Sequence, residues 1–101
     1  MLDEVIWKYP LPLVGASSFM IEMPAYGRVL SVQYQKRGLD AGNGLMVGQA
    51  QMWVHVNKTH NKVKREFVIF ATGQEFDSKY LRYVDTCQEG DCVWHLFEVV
   101  R

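Results

Sequence analysis

Neither sign of charge is in excess: 11 lysines and arginines stand against 11 aspartates and glutamates, a formal net charge of zero at pH 7. A general nucleic-acid binder carries a large basic surplus, so nucleic acid is not an expected partner. Long apolar runs are missing as well. No stretch approaches the ~20 residues that a helix needs to cross a bilayer, so no membrane association is expected. The opening MLDEVIWKYP has acids where a signal peptide has a basic lead, and the expected compartment is the cytoplasm, that of a host cell if the gene is viral. Cysteine is scarce, with Cys87 and Cys92 alone. Two thiols cannot complete a tetrahedral zinc site. Without export they are expected to be free, although the hairpin signal in TCQEGDCVW keeps a disulfide open as an alternative.

Assembled chemistry is also lacking. His55, His60 and His95 follow no ligand spacing, so no metal and no cofactor are expected. There is no Gly-x-Ser-x-Gly elbow. No pair of carboxylates has the spacing of a metal site or a glycosidase dyad. The glycine-rich Gly38–Gly44 lacks the lysine of a phosphate loop and opens no helix. A Cys87–His95 pair across the last hairpin is conceivable, but nothing supplies an orienting third group or an oxyanion hole. A lone histidine inside CVWHLFEVV is more often a hydrogen-bonded packed group than a catalyst. The chain is therefore read as non-enzymatic.

What is present is strand. Hydrophobic residues make up 49% of 101 residues, enough apolar material for one compact domain over 1–101. Glu4–Tyr9 and Phe19–Met23 are rich in β-branched and aromatic residues and are cut by prolines. Arg28–Gln35 alternates, with Leu30, Val32 and Tyr34 on one face and Ser31, Gln33 and Gln35 on the other. Lys36–Gly44 reads as a loop. In Gly48–Val56, Ala50, Met52, Val54 and Val56 oppose Gln49, Gln51, Trp53 and His55. A polar turn, Asn57–Lys62, then joins Val63–Ala71 as a hairpin partner. The loop Thr72–Lys79 is given one helical turn after Asp77. Tyr80–Thr86 and Cys92–Val100 form the closing hairpin. These spacings predict an all-β fold, a small antiparallel sandwich or partly open barrel of about seven strands.

Aromatic residues reach 13%, and several strands are apolar on both faces: Trp7 with Ile6, Val68 and Phe70 with Phe67 and Ile69, Trp94 with Phe97. A strand apolar on both sides must be covered twice, so self-association into a homo-oligomer is expected. Polar and aromatic residues interleave at Gln49, Gln51, Trp53 and His55, with Lys64 or Arg65 expected on the next strand. Aromatic faces can stack on a ligand while amides and cations bind its edges.

Several stretches together carry a resemblance: IWKYPL near the start, Met23-Pro24 followed by VLSVQYQ, the strand around Met52-Trp53-Val54, FVIFATG, and WHLFE near the end. In this order they resemble a family of small, uncharacterised domains found in bacteriophages and prophages, with Gly38–Gly48 as a longer loop than the family's usual turn. The resemblance implies a phage origin and no catalytic residues. Phage genes of this size often act by binding a host component, including inhibitors of defence systems and sponges for nucleotide signals. The expected function is thus a non-enzymatic binding protein that engages a host protein or a small nucleotide. Trp53, His55 and Arg65 would line its surface, Thr72, Gly73 and Gln74 would offer backbone amides beside it, and Tyr83 and His95 would extend it. A structural or accessory virion component is the alternative.

Overall fold

In the computed structural model, which describes residues 2–12, 17–39 and 46–101, two antiparallel sheets face one another. The strands are β1 (Glu4–Leu11), β2 (Phe19–Pro24), β3 (Arg28–Leu39), β4 (Met46–Asn57), β5 (Lys62–Ala71), β6 (Leu81–Glu89) and β7 (Cys92–Val99). One sheet has the order β1-β4-β3 and the other β2-β5-β7-β6. There is no helix among the described residues, and the sandwich does not close into a barrel.

The alternation read in β4 places Ala50, Met52, Val54 and Val56 in the core. From the opposite sheet Ile21, Met23, Phe67, Ile69 and Leu96 meet them. Phe67, Met23 and Met52 are fully buried. Burying such side chains contributes roughly 1.5–3 kcal/mol each, the main term holding the sheets together.

Five local expectations are corrected. First, β4 and β5 are not a hairpin. The edges of β4 are taken by β1 and β3, and those of β5 by β2 and β7, so the turn after Asn57 carries the chain from one sheet to the other. Second, Lys36–Leu39 is strand rather than loop, in register with Met46–Gly48; residues 40–45 of the expected loop lie outside the described residues. Third, Leu30 does not face inward with Val32. A bulge between Val29 and Ser31 inserts one extra residue, which turns Leu30 out to 42% exposure. Fourth, the segment after Asp77 is not helical. The Asp77 carboxylate accepts the Lys79 N–H at 2.9 Å, a side-chain turn that competes with a helix start. Fifth, Pro10 lies inside β1 instead of ending it, because β1 is an edge strand whose outer N–H needs no partner.

A second bulge, between Tyr83 and Asp85, lies in β6. It faces the bulged strand β3, where these two edges approach. The Val32 N–H donates to Asp85 Oδ2 at 2.8 Å, and Asp85 Oδ1 accepts the Thr86 N–H at 2.8 Å. One carboxylate thus satisfies an edge amide that the sheets leave without a ladder partner.

Gly27 closes the turn between β2 and β3. A Cβ there would sit 3.0 Å from Val54 Cγ1, 3.1 Å from Met23 Sδ and 3.2 Å from Val56 Cγ1. The methionine end can yield, but two valine methyls cannot both do so. Gly27→Ala is expected to cost about 1–2 kcal/mol, seen as a lower urea midpoint with an unchanged slope.

Candidate binding site

The outer face of the four-stranded sheet carries a cleft walled by aromatic rings. On β5, residues alternate between the core (Phe67, Ile69) and the outer face (Val68, Phe70). The outer pair is nevertheless buried, at 5% and 8% exposure. Part of the cover comes from the chain itself. The connection between β5 and β6 folds back so that the Phe76 ring stacks on Phe70, with centroids 4.2 Å apart and planes 12° apart. Phe97 meets Phe70 edge-on at 5.7 Å and Phe76 at 5.2 Å. Tyr83 meets Phe97 edge-on at 5.6 Å. Offset and edge-on pairs of this kind add about 0.5–1.5 kcal/mol each beyond area burial.

Beside these rings runs a row of hydrogen bonds. His95 Nε2 lies 2.8 Å from Thr72 Oγ1 and Nδ1 lies 3.1 Å from Thr86 Oγ1. Thr86 Oγ1 is in turn 2.5 Å from the Tyr83 hydroxyl. Each hydroxyl both donates and accepts, and a neutral imidazole has one donor and one acceptor nitrogen. The row therefore polarises in one direction or the other, and a ligand bonded at either end selects the direction. The register explains the assembly: Phe70 pairs with His95 across β5–β7, and Thr86 pairs with His95 across β6–β7. Rings and hydroxyls together line a concavity of about 300 Å³.

The turn that closes this cleft is held from within. Gln74 N–H donates to Ala71 O at 3.1 Å, while Gln74 Oε1 accepts the Ala71 N–H at 3.1 Å. The Thr72 N–H donates to Val93 O at 3.2 Å. Gly73 adopts φ +89°, a conformation that costs glycine little and other residues more. Of the three amides expected to face a ligand, those of Thr72 and Gln74 are thus committed to the turn.

The eight residues singled out from the sequence fall in three places. Thr72, Gly73, Gln74, Tyr83 and His95 converge on this cleft. Trp53 and His55 lie on the outer face of the other sheet, where His55 Nε2 donates to Glu4 Oε1 at 2.8 Å. Arg65 lies at neither. It points inward from β5, because the turn after β4 changes sheets and Arg65 does not continue the Trp53 surface. The Cys87–His95 pair is also separated: Cys87 faces the core opposite Trp94, whereas His95 is on the outer face. Cys87 and Cys92 are free thiols, one buried and one exposed. Burial pushes the Cys87 thiol pKa up, with the Asp85 carboxylate adding to it, so Cys87 behaves as an inert apolar group.

Arg65 instead builds an ion cluster. Its Nε and Nη2 donate to the two oxygens of Glu98 at 2.6 and 2.7 Å, and its Nη1 donates to Gly27 O at 2.6 Å. Arg82 Nη2 donates to Glu98 Oε1 at 2.6 Å. Burial by itself would raise the Glu98 pKa, but the hydrogen bonds from Arg65 and Arg82 and their charges outweigh it, and the carboxyl is held below its usual value. Three strands meet in this cluster: Phe67 pairs with Glu98 and Arg82 pairs with Glu98 in the ladder. No local pattern announces it, since Arg65 and Glu98 are 33 positions apart.

Over nearly the whole length, residues 3–101, the sequence matches the family model for a domain of unknown function, DUF7352. The chain belongs to the DUF7352 family. No curated protein and no solved structure matches it. For this DUF7352 chain the site must therefore be read from its own geometry. Thr72 and His95 have the separation of a nucleophile and its base. The group beyond the imidazole is the neutral hydroxyl of Thr86, which cannot stabilise an imidazolium as a buried carboxylate does. Among the described residues no cluster of three metal-ligating side chains occurs.

Proposed function

We propose that this chain is a non-enzymatic binding protein whose four-stranded outer face takes an apolar side chain of a protein partner. The supporting observation is the cleft between Phe70, Phe76, Phe97 and Tyr83, with its hydroxyl row and with no acidic or basic side chain, histidine aside, among its lining residues. No arginine or lysine lines the cleft itself, so an apolar group suits it better than a phosphate. Phe70 is nearly buried beneath Phe76, while Phe76 and Tyr83 stay about half exposed and offer their edges and outer faces to an entering side chain. At about 300 Å³ the space is at the small end for a ligand pocket and suits one large side chain. In the phage setting that the sequence resemblance implies, the partner is a host protein, a defence component being the specific reading.

Native mass spectrometry of the protein isolated from its own cells tests this. The expected species is a complex with a second, different polypeptide, lost in Phe76→Ser and retained in Thr59→Ala on the opposite side. A retained nucleotide, or a homo-oligomer that Phe76→Ser dissociates, would replace the reading with a nucleotide-binding or self-assembly role.

A further inference from the structure

A second concavity adjoins the cleft across strand β6, and Tyr83 lines both. It measures about 480 Å³ and runs between β3 and β6. Arg28, Arg65 and Arg82 all line it, and Glu98 is the one carboxylate among its lining residues. Glu98 is already saturated by Arg65 and Arg82. The groove lining thus holds three arginines against one glutamate, and Arg28 also borders Glu4 and His55 on the outer face of the other sheet. Arg28 has no carboxylate within ion-pair distance among the described residues. Arg82 donates through one Nη only and is 63% exposed, which leaves the rest of its fork available.

Tyr26 stands at the rim. It is 91% exposed and holds φ at +66°, a left-handed conformation that a tyrosine adopts at a cost. Such strain is often found at recognition sites. Exposed tyrosines and arginines around a partly buried centre are the composition of a protein interface rather than of an ordinary solvated surface.

We propose that Arg28 and Arg82 form a carboxylate subsite next to the cleft, so that the partner segment is acidic: an apolar side chain enters the cleft while a neighbouring carboxylate crosses β6 to the arginines. This rests on the cleft reading for the apolar half and on the groove alone for the charged half. The buried Arg65–Glu98 pair fixes the Arg82 fork, because Glu98 holds one Nη and directs the other nitrogens outward. The same cluster that joins three strands thereby orients the subsite.

The test uses labelled hexapeptides with one phenylalanine and two flanking glutamates, their glutamine counterparts and their phosphoserine counterparts, titrated by fluorescence anisotropy. The glutamate peptides are expected to bind roughly tenfold tighter than the glutamine ones, and Arg28→Glu is expected to abolish the difference. Phosphoserine peptides binding no tighter than the glutamate ones support the carboxylate; phosphoserine peptides binding clearly tighter overturn it in favour of a phosphate. Equal binding of glutamate and glutamine peptides, or a preference that survives in both Arg28→Glu and Arg82→Gln, overturns the subsite. Adenosine monophosphate binding where the acidic peptides do not would overturn it in favour of a nucleotide. Phe76→Ser separates the two halves. Weakened binding of every peptide supports the cleft, whereas unchanged binding with the charge preference intact removes the cleft and leaves the arginine subsite standing. Thermal melts of Arg28→Glu and Arg82→Gln close to that of the parent show that lost binding is not lost folding.

Discussion

Glu98→Ala is expected to lower stability by about 3–5 kcal/mol, the cost of leaving a buried guanidinium without its counter-charge. Arg65 has only 17% of its side chain exposed and directs two of its nitrogens at Glu98. Arg82 is 63% exposed and regains water on losing its partner, so most of the penalty falls on Arg65. For a domain of this size the loss corresponds to a drop in Tm of roughly 15–25 °C. Chemical denaturation of the single and double variants separates the contributions. Replacing both partners by apolar residues, Arg65→Met with Glu98→Leu, is expected to recover most of the loss, because no orphaned charge remains. If Glu98→Ala alone is within 1 kcal/mol of the parent, the cluster is not a structural element.

The same cluster sets a pH dependence. The Glu98 carboxyl has a lower pKa folded than unfolded. Its stabilisation is therefore fully present above the unfolded value, about 4.3, and is lost as the pH falls through the folded value. Unfolding free energy measured from neutral pH down through this window should fall less steeply in Glu98→Ala than in the parent.

The second large effect is expected for Phe67→Ala, also about 3–5 kcal/mol. Phe67 is fully buried between the sheets. It stacks with Phe19 at a centroid distance of 6.3 Å and carries the Arg65 guanidinium 5.7 Å above its ring. Truncation removes the ring's transfer energy and opens a cavity in the core between the sheets, whose other side chains cannot all collapse inward. Phe67→Leu, which keeps most of the volume, should cost under about 1.5 kcal/mol. Phe76→Ala provides the contrast. That ring is 45% exposed, so its stability cost should be clearly smaller, while under the cleft reading its effect on partner binding is large. Urea denaturation and a binding titration on the same two variants separate the core phenylalanine from the surface one. A Phe67→Ala protein as stable as the parent would remove Phe67 from the centre of the core.

These two residues show what could be read in advance. Phe67 belongs to an alternating run in which sequence alone marks two apolar faces. Which of them is the core depends on which strands lie beside β5. The neighbours proved to be β2 and β7 rather than β4. Once the turn after Asn57 changes sheets, Arg65 leaves the surface expected for it beside Trp53 and enters the interior opposite Glu98. That His95 would be a hydrogen-bonded packed group was readable from its apolar neighbours in one strand, but its place on the outer face was not. Nor were its partners Thr72 and Thr86, since one comes from a turn beyond β5 and the other follows a bulge that shifts the β6 register.

By itself the sequence determined seven strands, their approximate limits and the inward set Ala50, Met52, Val54 and Val56. Alternation is a property of neighbouring residues, and a pleated strand converts it directly into two faces. Only the tertiary structure decided the strand order, the bulges that turn Leu30 outward and offset Tyr83 from Asp85, the fold-back of Phe76 onto Phe70, and the joining of Arg65, Arg82 and Glu98. Each of these depends on contacts between segments distant in the chain. No local pattern specifies which distant strand will supply the hydrogen bonds and the covering surface.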